Sequence, residues 1–236
     1  MAFKEATRVS TGLLTSCERR CLIWMAARMP RRINSDHLTA LGLAAMFMVG
    51  VSYWLARDHP LALLSAIAWL AVNWFGDSLD GTLARVRQCQ RPRYGFYVDH
   101  VLDTFGILFV LGGLALSGYM SPLVAAGLLI AYYVLSIELF LATYSLGEFR
   151  LSFWKLGPTE LRIALAIGTL VLFVRPVVTI LGTKYLLFDV GGVIATAGLL
   201  LTTVVSAAGH TRELYLAEPL PHEAVPEAPC VPCRAD

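Results

Sequence analysis

Long apolar segments set the strongest limit on what this chain can fold into. Between residues 38 and 208, mostly apolar runs alternate with short polar turns, and a transmembrane helix needs about 20 such residues. Only 15% of the residues are charged, against roughly 25% in soluble domains. The sequence therefore predicts an all-α polytopic membrane protein with six transmembrane helices.

The predicted organisation has three parts. An N-terminal segment, residues 1–36, contains an amphipathic stretch at 13–29 that is typical of an interfacial helix. A membrane domain, residues 37–210, follows, and a tail, residues 211–236, is predicted to be disordered because it is polar and rich in proline. The six spans cover about residues 38–56, 61–75, 96–117, 123–144, 158–174 and 186–208.

Basic residues divide unequally between the two sides of this layout. With a cytoplasmic N-terminus, sixteen of the 19 Lys and Arg residues fall on the cytoplasmic side, and three fall on the other: Arg57, Arg175 and Lys184. Cytoplasmic loops carry an excess of basic residues, so both termini and the polar stretch after the second span are predicted to face the cytoplasm. The net charge of +2 does not indicate a nucleic-acid partner. Five cysteines at unrelated spacings indicate free thiols.

Four aspartates flank the polar loop between the second and third spans. Asp77 and Asp80 are three residues apart on one helix, and Asp99 and Asp103 are four apart on the next, so each pair shares a helix face. Ionisable residues at the end of a span are costly unless they are paired, hydrated or metal-bound. Carboxylates suit Mg²⁺ or Mn²⁺, and two such ions would offset the mutual repulsion and clamp a diphosphate.

The carboxylates alone leave other classes of protein open. Clustered membrane carboxylates also occur in ion or solute transporters, although the inverted internal repeat of many transporters is not visible here. A noncatalytic scaffold is a third alternative, but it has no physical need for four carboxylates.

A longer pattern includes the four aspartates. Its eight positions are Asp77, Asp80, Gly81, Ala84, Arg85, Gly95, Asp99 and Asp103. In this register they resemble the signature of the CDP-alcohol phosphotransferase family, with nine residues between Arg85 and Gly95 where eight are more usual. The segment 30–42 and the six-span layout agree, so the resemblance covers about residues 30–210.

The resemblance implies a reaction and roles for these residues. An acceptor hydroxyl attacks the donor phosphorus that bears the alcohol, and CMP leaves. Asp77, Asp80 and Asp99 are metal ligands, and Asp103 is a ligand or the base that takes the hydroxyl proton. The residues implied to lie against the CDP moiety are Gly81, Ala84 and Arg85. Small residues, Gly95 included, would let a ligand approach the backbone.

The family resemblance also suggests a homodimer among membrane lipids. Small residues at 106, 113 and 117 of the third span have a spacing that would suit a helix–helix contact between two copies.

The family divides by donor. Some members use CDP-diacylglycerol with a polar acceptor (glycerol phosphate, inositol phosphate or serine), and others use CDP-choline or CDP-ethanolamine with diacylglycerol. Three features resemble the choline and ethanolamine enzymes: Asp99-His100 with Asp103, the segment 157–160, and Glu138 in the fourth span. The chain is shorter than those enzymes, lacks their additional spans, and has Leu161-Arg162 where they usually have a glycine. Both donor classes therefore stay open.

Several neighbouring residues have two interpretations. His100 is either an auxiliary base or phosphate contact, or a hydrogen-bonded interfacial histidine. Glu160 and Arg162 either bind the acceptor or donor headgroup, which is favoured, or stabilise a helix start.

Aromatic and basic residues near the loop also have two interpretations. Trp74 and Trp154 either face a quaternary ammonium or belong to the interfacial aromatic belt, which is favoured. Arg87, Arg91 and Arg93 either hold phosphates or form a solvated loop, and the loop is favoured.

Overall fold

A computed structural model of the chain describes residues 15–146 and 158–218. In these ranges the chain forms seven α-helices and one β-hairpin. The elements are α1 (Thr15–Arg28), α2 (Ser35–Leu55), α3 (Ala62–Val86), α4 (Pro92–Ser117), α5 (Pro122–Leu146), α6 (Pro158–Val174), β1 (Val177–Ile180), β2 (Thr183–Leu186) and α7 (Leu187–Ala217). The all-α membrane fold is confirmed, and the hairpin is an addition that the sequence pattern did not predict.

Five helices are long and apolar enough to cross a membrane: α2, α3, α4, α5 and α7. The remaining predicted span corresponds to α6, which has 17 described residues, at the lower end of the roughly 17–25 that a spanning helix uses. Within the described ranges, five spans are therefore supported by length and composition, and the sixth stays a prediction.

Two helices are longer than predicted. α3 continues through the polar stretch to Val86, so that Asp77 and Asp80 both lie within it. α7 continues to Ala217, so the first residues assigned to the disordered tail, 211–217, are helical, and that boundary was wrong. The rest of the predicted tail beyond residue 218, Trp154 and residues 1–14 lie outside the described ranges.

Helix α2 packs against both α3 and α4, and small residues allow the close approach. A Cβ atom added to Gly76 of α3 would stand 2.7 Å from the Leu38 carbonyl oxygen of α2, closer than real Cβ atoms come. Gly106, Gly113 and Ser117 of α4 are buried inside the chain, and Gly113 lies against α2. Their assignment to a dimer contact was therefore wrong, and a homodimer stays a prediction.

The helices around α2, α3 and α4 are attached by both apolar and polar contacts. Helix α6 packs on α3, and α7 packs on α5. Inside the core, the Tyr53 and Thr169 hydroxyl groups are 2.7 Å apart and join α2 to α6. At one end of the bundle, Leu22 of α1 packs in a cluster with Leu79 and Leu83 of α3. The Leu22 cluster holds α1 beside the end of α3 that carries the aspartates, whereas the Tyr53–Thr169 pair holds α6 against α2 nearer the other end of the bundle.

Arginines in the α3–α4 connection bind the chain segments beside them. The Arg87 guanidinium donates to the carbonyl oxygens of Met29 and Pro30, each at 2.9 Å, just beyond the C-terminus of α1. Arg91 forms an exposed ion pair with Asp36 at 2.6 Å, and hydrogen bonding to that carboxylate raises the pKa of Arg91. These arginines therefore hold the loop against α1 and α2.

Candidate active site

Three of the four predicted aspartates converge between α3 and α4, two helices that both pack against α2. Asp77, Asp99 and Asp103 each offer a carboxylate oxygen, and the three oxygens lie within 4.8 Å of one another. Asp77 and Asp99 are half-buried and Asp103 is exposed. The grouping arises because Asp99 and Asp103 share one face of α4, which is placed beside Asp77 on α3. We call these three residues the carboxylate cluster.

A small cavity between α2, α3 and α4 reaches this cluster. Its lining consists of Thr39, Gly42, Leu43, Met46, Asn73, Asp77, Asp99, Leu102, Asp103 and Gly106. The carboxylates and Thr39 give the cavity a polar part, and leucine and methionine side chains give it an apolar part. A polar group that enters this cavity therefore meets the carboxylate cluster directly.

Asp80 is not one of the three clustered carboxylates. Its Oδ2 accepts a hydrogen bond from the Thr39 hydroxyl of α2 at 2.6 Å, and its Oδ1 accepts one from the Gly81 amide. The Ser35 hydroxyl also donates to the Asp80 carbonyl oxygen at 2.9 Å. These contacts tie Asp80 to the first turns of α2, and a metal-ligand role for it stays a prediction.

Arg162 of α6 is brought to the carboxylate cluster. Its guanidinium forms an ion pair with Asp77 Oδ2, and its Nε donates to Asn73 Oδ1 at 2.7 Å. A second hydrogen bond orients the Asn73 amide, because its Nδ2 donates to the Gly42 carbonyl oxygen at 3.0 Å. Asn73 was not predicted as a site residue, although a buried asparagine four residues before Asp77 in an apolar helix was a usable signal.

His100 lies on α4 between Asp99 and Asp103. Its Nδ1 is 2.6 Å from the Phe96 carbonyl oxygen, and a carbonyl can only accept, so Nδ1 carries a proton. The ring packs against Phe96 and against Phe140 of α5, with centroids 4.1 and 5.2 Å away. The hydrogen-bonded interpretation of His100 thus has a partner in the structure, and a role as base stays a prediction.

The remaining predicted site residues occupy several positions. Glu138 of α5 bonds to α7, with its carboxylate 2.7 Å from His210 Nδ1 and 3.1 Å from the Ser206 hydroxyl. Its two partners on α7 were not anticipated. Glu160 is half-buried in the first turn of α6, two residues before Arg162. The proposed substrate roles of Glu138 and Glu160 stay predictions.

The small residues of the pattern are open to approach. A Cβ atom on Gly95 would meet nothing within 4 Å, and one on Gly81 would meet only the Arg85 guanidinium, at 3.7 Å. Ala84 is half-buried on the same helix as Gly81. Packing within the described part of the chain does not require glycine at positions 81 and 95.

Trp74 makes a contact that bears on its two interpretations. Its indole nitrogen donates to Glu18 of α1 at 2.8 Å, and the Thr159 hydroxyl of α6 donates to the same carboxylate oxygen at 2.8 Å. Glu18 thus joins α1, α3 and α6 near the site, and the Trp74 N–H has a structural partner.

The chemistry of the donor set fits a hard divalent cation. The clustered ligand atoms are all carboxylate oxygens, which Mg²⁺ and Mn²⁺ prefer over nitrogen or sulfur ligands. Three carboxylates this close repel one another, and positive charge offsets the repulsion.

The comparison with known proteins agrees with the geometry. Residues 35–205 match the family described as CDP-alcohol phosphatidyltransferase, and no curated protein matches the chain significantly. The chain belongs to the CDP-alcohol phosphatidyltransferase family. Membership makes it a membrane transferase of phospholipid synthesis that moves a phosphate-linked group from a CDP-alcohol, and the family match favours this class over a transporter.

Proposed function

We propose that this chain is a metal-dependent CDP-alcohol phosphotransferase in which the carboxylate cluster is the catalytic centre. In the proposed reaction, an acceptor oxygen forms a bond to the donor phosphorus that carries the alcohol, and the bond from that phosphorus to CMP breaks. The observation that carries the proposal is the convergence of three motif aspartates within 4.8 Å beside one cavity.

We propose that Asp77, Asp99 and Asp103, joined by Asp80, hold two divalent cations. When bound, these ions would stabilise negative charge on the donor diphosphate. Asp103 is the best placed to take the proton of the acceptor hydroxyl, because it belongs to the cluster and is exposed. His100 is the proposed auxiliary base.

The CDP moiety is proposed to lie along Gly81, Ala84, Arg85 and Gly95. The open space around both glycines supports this, because backbone without a side chain lets a phosphate or ribose approach closely. The cytosine and phosphates would then extend from the α3–α4 connection toward the carboxylate cluster.

We propose CDP-choline or CDP-ethanolamine as donor and diacylglycerol as acceptor. The support is the resemblance of Asp99-His100 with Asp103, and of the segment 157–160, to choline and ethanolamine phosphotransferases. The alternative is transfer from CDP-diacylglycerol to a polar alcohol. The apolar lining residues Leu43, Met46 and Leu102 suit a lipid as either donor or acceptor, and a panel of donors distinguishes the two reactions.

The test is a donor panel. The chain is purified into lipid nanodiscs and incubated with Mg²⁺ or Mn²⁺ and either diacylglycerol with CDP-choline or CDP-ethanolamine, or CDP-diacylglycerol with glycerol phosphate, inositol phosphate or serine. CMP release and the lipid product are measured together. Release with one donor, abolished by EDTA and restored by Mn²⁺, is the expected result.

A matched variant controls for carboxylate loss. Asp58→Asn removes an exposed carboxylate from the α2–α3 connection at the opposite end of the bundle and should leave the rate unchanged. No CMP release with any pair, from protein that unfolds cooperatively on heating, would contradict the proposal. Release that is unaffected by EDTA would contradict its metal dependence.

A further inference from the structure

Asp77 belongs to two charge arrangements at once. It is one of the three clustered carboxylates, and it is also the ion-pair partner of Arg162. The side chains are only 17% exposed for Arg162 and 26% for Asp77, so solvent screens their attraction less than at a surface. An arginine side chain is charged at every accessible pH.

The guanidinium is held by more than this one contact. Asn73 accepts from Arg162 Nε, and the Asn73 amide is oriented by the Gly42 carbonyl oxygen. Because a guanidinium is planar and donates in fixed directions, two acceptors hold it in one position beside the carboxylate. The contact is also long-range, since it joins α6 to α3, and it is therefore a tertiary feature that helix propensity alone does not produce.

Arg162, like a metal ion, places positive charge next to the clustered carboxylates. A divalent cation on the cluster would bring two further positive charges toward the guanidinium, and like charges repel strongly at short range in a partly buried site. A guanidinium on Asp77 Oδ2 and a cation on the same carboxylate would therefore weaken each other's binding.

We propose that Arg162 and a divalent cation compete for Asp77, and that Asn73 is the positioning residue that holds the guanidinium in the competing position. The inference rests on the proposed function, because it needs the carboxylate cluster to be the metal site. Its consequence is that one of the three carboxylates, Asp77, is already paired with positive charge before a cation arrives. Cation binding then releases the guanidinium from Asp77.

Arg162 could instead support metal binding by orienting Asp77. The two roles predict opposite changes in metal affinity when Arg162 is neutralised. Partners of metal-ligating carboxylates often orient the ligand, and their loss typically weakens metal affinity by about 10–100-fold. If Arg162 is such a partner, neutralising it weakens binding. If it is a competitor, neutralising it tightens binding.

The measurement is Mn²⁺ affinity, by titration calorimetry on chelator-treated protein in nanodiscs of zwitterionic lipid, without any nucleotide. Arg162→Met, which keeps an unbranched side chain about as long as the arginine stem and removes the charged group, should bind Mn²⁺ about tenfold more tightly, a usual size for coupled binding. Asn73→Leu, which changes no charge, should tighten binding by a smaller factor because the guanidinium is less well held. Arg91→Met, which removes an exposed arginine at the same end of the bundle but paired with Asp36, should leave the affinity unchanged.

Thermal unfolding of the same samples gives a second readout. In EDTA, Arg162→Met should unfold at a lower temperature than the unchanged chain, because three close carboxylates lose a counter-ion. Saturating Mn²⁺ should raise its unfolding temperature by more than it raises that of the unchanged chain, since tighter binding stabilises more.

Weaker or unchanged Mn²⁺ affinity in Arg162→Met would overturn the inference, as would absence of Mn²⁺ binding from both proteins. If Arg162→Met does not fold, Asn73→Leu decides: tighter binding supports competition and equal or weaker binding refutes it. CMP release from the unchanged chain separates this result from the proposed function. If the chain releases CMP but Arg162→Met does not change the Mn²⁺ affinity, the proposed function stands and the competition is refuted.

Discussion

The carbonyl oxygen of Gly50 on α2 lies where a side chain on Gly113 of α4 would begin. A Cβ atom at position 113 would come closer to that oxygen than 3.0 Å, a separation that Cβ atoms essentially never show. This crossing brings α4, and with it Asp99 and Asp103, against α2. The geometry of the carboxylate cluster therefore depends on a glycine some distance from it along α4.

Gly113→Ala should destabilise the protein and lower its activity. Overpacking a close contact costs about 1–3 kcal/mol, which for a chain of this size lowers the apparent Tm by about 5 °C, and displacing α4 should also loosen the cluster. The control is the neighbouring glycine, Gly112, where a Cβ atom would meet nothing within 4 Å. Thermal unfolding of both variants in nanodiscs checks this, and equal Tm values would contradict the close crossing.

Asp103→Asn should abolish most transfer while Mn²⁺ still binds. A positioned base contributes about 10²–10⁴-fold, and the amide keeps the size of the carboxylate but does not accept the proton. CMP release and Mn²⁺ titration are measured on one preparation, with Asp58→Asn as the matched control. Unchanged transfer in Asp103→Asn would refute the base assignment, whereas loss of both transfer and Mn²⁺ binding would assign Asp103 as a ligand only.

Thr39→Val should lower activity through Asp80. The Thr39 hydroxyl donates to Asp80 Oδ2 at 2.6 Å, and removing a hydrogen-bond partner of a metal ligand typically costs about 10-fold or more. Thr143→Val is the control, because that hydroxyl donates to Leu139 one turn earlier in its own helix. The Mn²⁺ concentration that CMP release requires measures the effect, and an unchanged requirement would argue against Asp80 as a ligand of the proposed metal site.

Local sequence was enough to predict most of the helices and the positions along them of the aspartates in the candidate site. A membrane helix satisfies its own backbone hydrogen bonds, so the apolar runs alone specified α2, α4 and α5 to within a few residues. The periodicity of an α-helix likewise specified that Asp99 and Asp103 share a face.

Contacts between distant segments were not predictable in this way. Asp80 turns toward Thr39 and Arg162 reaches Asp77 only because α2 and α6 pack against α3, and one sequence does not encode that packing in any local pattern. The hairpin was predictable in principle, because Val177–Ile180 is rich in β-branched residues and Leu181-Gly182 forms its turn. Both turn residues have positive φ, 51° and 83°.

Glu138 and His210 should be coupled in stability. Their 2.7 Å contact joins α5 to α7, and the side chains are 12% and 19% exposed. Glu138→Gln and His210→Gln should each lower the apparent Tm. The double variant should lower it by less than the sum of the two separate decreases, because either single change already breaks the contact between the two side chains. Thermal unfolding of the four proteins checks this, and strictly additive decreases would refute the coupling.

The orientation of the site can be tested with a native thiol. Cys89 is exposed in the α3–α4 connection, which the distribution of basic residues predicts to be cytoplasmic. A variant in which the other four cysteines are replaced by serine should react with a membrane-impermeant maleimide in inverted vesicles and not in intact cells. Adding Cys89→Ser and Asp58→Cys to that variant moves the thiol to the α2–α3 connection and should reverse the pattern. Labelling of Cys89 in intact cells would reverse the predicted topology and place the carboxylate cluster on the side away from cytoplasmic CDP-alcohols.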